Sequence, residues 1–284
     1  MFLHRIIQQL LKSPKFPGRD FLIEKLPEWF LRKPKGATVV NTLFGFKIEL
    51  NPSIDLNIEN VIYERGVYEQ ATTEFIQEYL NKGATFVDAG ANIGYLSLVA
   101  ASVVGEKGNV YAFEPVKSTF DLLQRNAELN QFTQIKCKQF GLGSQSEEVV
   151  IYSENQNRGG ASIVNRRSEQ KETIQICPLD AILSEEKVDL LKIDVEGYEF
   201  EVLKGAEEII RKDHPAIILE YSQQRNNAGA NNEMIDWLSN VYEGYEFFRF
   251  EKGKERSSKL VNCKSKHVGF PDHDNIVCLP KKSL

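Results

Sequence analysis

Residues 85–94 read TFVDAGANIG, and they are the most informative part of the sequence. A short apolar strand, residues 85–87, runs into a turn at Gly90, and an apolar helical pattern over residues 93–104 begins immediately afterwards. A buried strand, a glycine turn and a helix form the opening unit of an open α/β sheet, and ligands bind beyond the carboxyl ends of such strands. The segment therefore predicts both the fold class and the position of a binding site.

The spacing of this turn indicates the ligand. It is D-x-G-x-x-x-G, from Asp88 through Gly90 to Gly94, and not the G-x-G-x-x-G of a dinucleotide site. Asp88 would repel a pyrophosphate and attract an ammonium group, and Glu114, at the end of the strand over residues 109–113, can accept both hydroxyls of a ribose. Together these residues favour an aminoacyl nucleoside such as S-adenosylmethionine. The alternative is an ordinary strand–helix turn in which Asp88 caps the helix.

The rest of the chain alternates strand and helix patterns around this unit. Strands are predicted at 85–87, 109–113, 135–140, 188–193, 216–221, 245–251 and 275–279. Helices are predicted at 67–80, 93–104, 118–130, 200–211 and 233–242. A hairpin or bent strand is expected at 38–50, and a hairpin at 149–153 and 173–176 with a polar loop through residues 159–160. This alternation predicts an α/β fold with a doubly wound, mostly parallel sheet.

Composition narrows the class of protein. The chain has 284 residues, a net charge of −5, 42% hydrophobic and 26% charged residues, which are the proportions of an ordinary globular protein. The net charge gives no electrostatic reason to expect a nucleic-acid partner. Four widely scattered cysteines favour reduced thiols in a cytoplasm. No apolar run approaches the length of a membrane span.

The N-terminal segment differs from the rest. Residues 1–36 contain eight lysines and arginines against three acids, a net charge of +5. Within residues 2–11 the apolar side chains recur at helical spacing. This pattern is typical of a helix that touches an anionic membrane surface, or of one that packs on the main domain or on a second subunit. We expect residues 1–60 to form an N-terminal extension of helices and a hairpin, and residues 61–284 to form the main domain.

Four blocks of sequence resemble the FkbM-type S-adenosylmethionine-dependent methyltransferases. They are FVDAGANIGYLSLVAA from residue 86, VYAFEP from 110, LLQRNAELN from 122 and LLKIDVEGYEFEVLKGA from 190. The resemblance spans residues 63–221 and implies a class I, Rossmann-like fold with a seven-stranded sheet. It also implies methyl transfer, usually to a hydroxyl. With the turn and the fold position, the expected cofactor-binding residues are Tyr68, Glu69, Asp88, Gly90, Ala91, Asn92, Gly94, Glu114, Pro115, Gly141, Leu142 and Asp194.

Carboxylates mark the expected site of transfer. Asp194, Glu196 and Glu199 follow the strand ending at residue 193, and Glu220 ends the next strand. Methyl transfer to an alcohol needs a base for the hydroxyl proton, and Asp194 is our first choice, with Glu196 and Glu220 beside it. His267 is an alternative base. Asp194 and Glu196 can instead cap the following helix, and Glu199 can simply favour its dipole.

Hard oxygen ligands of this kind suit Mg²⁺, so metal assistance is a second expectation, although no dedicated metal motif is present. The predicted activity is O-methylation of a hydroxyl on a sugar, glycan or natural product. N-methylation of a peptide or amine, and a non-catalytic cofactor-binding subunit, are the alternatives. A homo-oligomer is compatible with the sequence.

Overall fold

The computed structural model describes residues 34–154, 157–162, 170–222, 228–263 and 269–281. The apolar stripe of residues 2–11 and the candidate base His267 lie outside these ranges. Both therefore stay predictions from the sequence.

Fourteen strands and eight helices occur within the described ranges. The strands are β1 (Thr38–Asn41), β2 (Lys47–Leu50), β3 (Thr85–Ala89), β4 (Asn109–Phe113), β5 (Ile135–Lys138), β6 (Gly141–Leu142), β7 (Glu147–Glu154), β8 (Asn157–Ser162), β9 (Gln170–Cys177), β10 (Leu190–Ile193), β11 (Ala216–Ser222), β12 (Tyr245–Phe250), β13 (Leu260–Asn262) and β14 (His273–Pro280). The helices are α1 (Ile58–Arg65), α2 (Gln70–Tyr79), α3 (Tyr95–Val104), α4 (Lys117–Leu129), α5 (Asp180–Leu183), α6 (Glu199–Lys204), α7 (Glu207–Asp213) and α8 (Ala228–Val241).

The central sheet is doubly wound and mostly parallel, as predicted. Its order is β13-β12-β14-β11-β10-β3-β4-β5, with parallel pairing from β11 through β5 and antiparallel pairing around β14. Every residue of β3, β10 and β11 is buried, because helices cover both faces of a parallel sheet. The carboxyl ends of these three strands consequently meet at one edge, where the sequence places its candidate site.

Among the described residues this sheet has eight strands, one more than the family resemblance implies. The additional strand is β13, a three-residue edge strand paired with β12. Its brevity explains why no alternating pattern revealed it.

A second sheet, β6-β9-β7-β8, is inserted between β5 and α5. The predicted hairpin is present as β7 and β9, paired antiparallel. The prediction of a polar loop between them is wrong for residues 157–162, because these form β8, which pairs with β7. Ile151, Ile174 and Ile176 form the buried cluster of this inserted sheet.

The single helix predicted over residues 200–211 is also corrected, because it is divided into α6 and α7. The interruption falls at Gly205, where an added Cβ would lie 1.9 Å from the carbonyl oxygen of Gly143. The carboxylate of Asp180 then accepts the backbone N–H groups of Glu208 and Ile209 at 2.9 and 3.0 Å and caps the first turn of α7. Helix α1 was not predicted.

Two asparagines, Asn126 within α4 and Asn130 directly after its end, attach the N-terminal hairpin to the core. The buried Asn126 accepts the backbone N–H of Glu49 at 2.7 Å and donates to the carbonyl of Ile93 at 2.9 Å. Asn130, one turn later, exchanges two hydrogen bonds with the backbone of Lys47 at 2.8 and 2.7 Å. The hairpin's apolar residues belong to the same core cluster as α3 and α4. The structure therefore packs the hairpin into the main core, and the domain boundary at residue 60 stays a prediction.

No helix within the described ranges is both long and apolar enough to cross a bilayer.

We expect Asn126→Ala to lower the free energy of unfolding by about 2 to 4 kcal/mol, because it leaves buried backbone groups without partners. Asn130→Ala should cost less, since its hydrogen bonds to Lys47 are exposed to water. Urea denaturation of both variants measures the difference. Equal losses would contradict a specific anchoring role for Asn126.

Candidate active site

A polar cavity of about 270 Å³ opens at the carboxyl edge of the sheet. Its wall is formed by Asn57, Ile58, Tyr68, Asp88, Gly90, Ala91, Asn92, Ile93, Tyr95, Leu96, Lys192, Asp194, Glu196, Glu220, Lys254 and His273. The loop after β3 and the strand ends of β10 and β11 thus share one space, as the sequence predicted.

A smaller, largely apolar cavity of about 80 Å³ adjoins the first. The two share Gly90, Asn92, Asp194 and Glu196. The other wall residues of the smaller cavity are Glu114, Pro115, Val116, Gly141, Leu142, Ile151, Ile174, Ile176, Val195 and Tyr198. Three isoleucines of the inserted sheet therefore close the end at which an adenine ring is expected.

Asp88 is buried at the polar end and is held by two side chains. Ser97 donates its hydroxyl proton to Oδ2 at 2.6 Å, and the ammonium of Lys192 lies 3.4 Å from Oδ1. Oδ1 accepts no hydrogen bond from the described residues. An ammonium group of a ligand would provide one, although part of the negative charge of Asp88 is already balanced by Lys192.

Lys192 connects the cofactor loop with the transfer site. Its Nζ donates to the carbonyl of Gly90 at 3.1 Å and lies 3.7 Å from Oδ2 of Asp194. Burial opposes the charge of Lys192, but the carboxylates of Asp88 and Asp194 outweigh it and raise the pKa of the ammonium. The side chain is therefore a fixed cation in the wall.

Gly90 brings the loop into contact with the end of β10. Its φ is +77°, and an added Cβ would lie 2.0 Å from the carbonyl oxygen of Asp194. Gly94 has a different role, since its missing Cβ leaves room for Leu123 of α4, which would otherwise be 2.4 Å away. Gly94 lines neither cavity. Gly94 therefore allows α3 to pack closely against α4, and its expected role in binding the cofactor stays a prediction.

Glu114 sits in the smaller cavity with both carboxylate oxygens engaged. Oε2 accepts the N–H of Asn92 at 3.0 Å, and Oε1 accepts the N–H of Val116 at 2.9 Å. Burial raises the pKa of Glu114 to about 7, and these two hydrogen bonds limit the rise. Each oxygen keeps a second lone pair that can accept a ribose hydroxyl.

The three candidate transfer carboxylates converge. One oxygen from each of Asp194, Glu196 and Glu220 lies within 4.8 Å of the others. Burial, followed by the charge of Asp194, raises the pKa of Glu220. The Nε2 of His273 is 3.7 Å from Glu220. Glu199 lines neither cavity, and its Oε1 accepts the N–H of Gly197 at 2.8 Å.

Lys254 enters the polar cavity from the loop between β12 and β13. Its Nζ lies 2.8 Å from Oε1 of Glu69 and 3.6 Å from Oε1 of Glu220. Asn275 donates to the other oxygen of Glu69 at 2.9 Å. Glu69 is buried, does not line the cavity and contacts Lys254, and its expected contact with the cofactor stays a prediction. Tyr68 does line the cavity.

Sequence reasoning missed Lys192, Lys254 and His273 as wall residues. Lys192 could have been found, because it is a charged residue within the otherwise apolar LLKI of β10. Lys254 carries no such signal, since it follows an ordinary glycine in a loop. His273 lies at the start of β14, where it pairs with Ser222 across the sheet.

Residues 88–247 match the family described as the methyltransferase FkbM domain, which is more than half of the chain. The chain belongs to the FkbM methyltransferase family. It is a methyltransferase, and the methyl donor of its family is S-adenosylmethionine. Its topology is that of the class I fold.

Similar proteins include methyltransferase sdnD of Sordaria araneosa, 30% identical over 50% of this chain and 68% of its own length. Hexuronic acid methyltransferase AglP of Haloferax volcanii is 32% identical over 48% of this chain and 56% of its own length. A solved FkbM methyltransferase from Methylobacillus flagellatus has 16% identity and a TM-score of 0.47, covering 78% of this chain and 52% of that one.

The site fits the methyl donor by its chemistry. The polar cavity holds a buried carboxylate oxygen of Asp88 without a hydrogen-bond donor among the described residues. The adjoining cavity combines Glu114 with apolar walls from Leu142 and the inserted sheet. The free oxygen of Asp88 suits an aminoacyl group, Glu114 suits a ribose, and the apolar walls suit an adenine.

Cofactor affinity should depend on pH through Glu114. As the pH falls below about 7, a growing fraction of this carboxyl is protonated and loses an acceptor for the ribose. We expect the affinity for S-adenosylhomocysteine to drop by up to about tenfold between one pH unit above and one below that value. Calorimetric titration across this range measures it.

Glu114→Gln should bind weakly and without this pH dependence. Glu172→Gln is the matched control, because Glu172 also accepts a backbone N–H but lies on the surface. An unchanged pH profile in Glu114→Gln would contradict the assignment.

Proposed function

We propose that this methyltransferase transfers the methyl group to a hydroxyl of a sugar, a glycan or a related natural product. The observation that carries the proposal is the position of Asp194, Glu196 and Glu220 on the wall that also contains the cofactor loop. The hexuronic acid named for the relative from Haloferax volcanii supports a carbohydrate acceptor for this chain as well.

The wall is suited to a polyhydroxylated acceptor. Carboxylates accept hydrogen bonds from hydroxyl groups, and the ammonium of Lys254 donates them. Both kinds of group line the polar cavity, which holds the three carboxylates of the transfer site and Lys254. This supports recognition of neighbouring hydroxyls by direct hydrogen bonds.

Different residues of this chain would bind the donor and accept the proton of the acceptor. When bound, the donor supplies an electrophilic methyl group on a positively charged sulfur. Asp88 and Asn92 would hold its aminoacyl end, and Glu114 its ribose. Asp194 would accept the proton of the acceptor hydroxyl at its carboxylate, while Lys192 fixes that carboxylate at 3.7 Å.

Mg²⁺ assistance stays part of the proposal as an alternative to a simple base. Three converging carboxylates offer the hard oxygen ligands that Mg²⁺ prefers. Lys254 and His273 already lie 3.6 and 3.7 Å from Glu220, and the ammonium of Lys254 would compete with a metal ion. We therefore rank base catalysis first.

N-methylation of an amine is the second candidate function. The same three carboxylates would attract an ammonium group, which is the observation in its favour. A non-catalytic cofactor-binding subunit is disfavoured, because Asp194 and Glu196 remain beside the cofactor loop.

The test combines binding with turnover. We expect wild-type protein to bind S-adenosylhomocysteine in calorimetric titration. When it is offered a panel of sugars and uronic acids, it should convert S-adenosylmethionine into S-adenosylhomocysteine. Asp194→Asn should keep its cofactor affinity and lose turnover by about 100-fold or more. Asp121→Asn, a surface acid paired with Lys117, is the matched control and should be fully active.

Turnover with amines but not with sugars would replace O-methylation by N-methylation. Full activity of Asp194→Asn would exclude this residue as the base. A dependence of turnover on added Mg²⁺ would rank the metal-assisted route above the simple base.

A further inference from the structure

Among the described residues that line the smaller cavity, Tyr198 is the only aromatic one. It shares this wall with Glu114, the candidate partner of the ribose, and with the three isoleucines of the inserted sheet. Tyr198 does not line the polar cavity, where the aminoacyl end of the donor and the acceptor are expected. The ring therefore faces a different part of the bound donor.

A tight turn after β10 carries Tyr198 from the transfer site to this wall. Glu196 and Gly197 both have positive φ, +55° and +100°, which is uncommon for a residue other than glycine. The buried carboxylate of Glu199 accepts the N–H of Gly197 at 2.8 Å and so holds the turn. Asp194 and Glu196 line both cavities, and Tyr198 lines the smaller one. One turn thus supplies the candidate base and the aromatic wall.

The ring of Tyr198 is fixed against the inserted sheet. An added Cβ at Gly143, directly after β6, would lie 3.1 Å from Cε1 of Tyr198 and 2.9 Å from Cδ1 of Ile176. The missing side chain of Gly143 therefore leaves room for both groups. Tyr198 also packs against the buried isoleucine cluster of this sheet. A ring held in this way has little freedom left to lose when a ligand binds.

The phenol of Tyr198 is a neutral aromatic group. Burial, followed by the charges of Glu147 and Glu201, raises the pKa of its hydroxyl. A purine base packs on the face of a neutral aromatic ring, and this contact is worth more than apolar contact alone. The isoleucines offer only apolar contact, so Tyr198 is the wall residue best suited to a flat aromatic ligand.

We propose that Tyr198 provides the aromatic face on which the adenine of the methyl donor packs. Glu114 and the isoleucines lie on the same wall, and together with an aromatic ring they form a site for a nucleoside. The inserted sheet then takes part in cofactor recognition, because it fixes the ring of Tyr198. The inference rests on the methyl donor of the family and not on which acceptor is methylated.

The first experiment is calorimetric titration of the full chain with S-adenosylhomocysteine. We expect Tyr198→Phe to bind as tightly as the wild type, because it keeps the ring. Tyr198→Leu and Tyr198→Ala should bind about tenfold more weakly or worse, because both remove the contact between base and ring. Tyr152→Ala is the matched control, since Tyr152 is half-buried on β7 of the same sheet and lines neither cavity. It should bind as the wild type does.

A nuclear magnetic resonance measurement tests the contact itself. In wild-type protein with isotope-labelled tyrosine rings, the signal of Tyr198 is the one missing from Tyr198→Phe. We expect a nuclear Overhauser effect between this ring and the adenine protons of bound S-adenosylhomocysteine. Its absence would overturn the proposal.

Equal affinities of Tyr198→Leu and Tyr198→Phe would also overturn it, since the ring would then contribute nothing beyond its bulk. The same holds if the folded wild type does not bind S-adenosylhomocysteine. Circular dichroism verifies that each variant is folded, and the comparison of Tyr198→Leu with Tyr198→Phe decides the matter if Tyr198→Ala does not fold.

Discussion

One buried ammonium group, that of Lys192, connects the parts on which the site depends. In the parallel register, Lys192 of β10 lies opposite Asp88 of β3. From there it contacts the Asp88 carboxylate, the Gly90 carbonyl and the Asp194 carboxylate. A buried charge persists only when it is paired and hydrogen-bonded, so Lys192 constrains all three partners. It fixes the cofactor loop relative to the group that would take the acceptor's proton.

The cofactor and transfer regions are therefore neighbours for a physical reason. Gly90 lets the loop approach the end of β10, and a side chain at that position would overlap the Asp194 carbonyl. The inserted sheet then adds an apolar wall that the parallel sheet alone does not provide. The combination gives a polar end and an apolar end within one continuous space, which matches the chemistry of the methyl donor of this family.

The sequence predicted those features that repeat along the chain or follow a strand end. Asp88, Glu114, Asp194 and Glu220 were found because the carboxyl ends of parallel strands meet at one edge. Lys254 could not be found, since its contact with Glu69 joins residues that are distant in sequence and show no pattern. The sequence of β8, NRGGAS, does not predict a strand because it lacks apolar alternation, and the strand forms through pairing with β7.

Lys192 compensates the buried charge of Asp88 and so holds the site together. Urea denaturation of Lys192→Met, Asp88→Asn and the double variant tests it most directly. We predict that Lys192→Met loses about 3 to 5 kcal/mol of unfolding free energy, because Asp88 is left buried and uncompensated. Adding Asp88→Asn should restore most of that loss. If Lys192→Met is as stable as wild type, or if the double variant shows only the sum of the two single losses, Lys192 does not have this role.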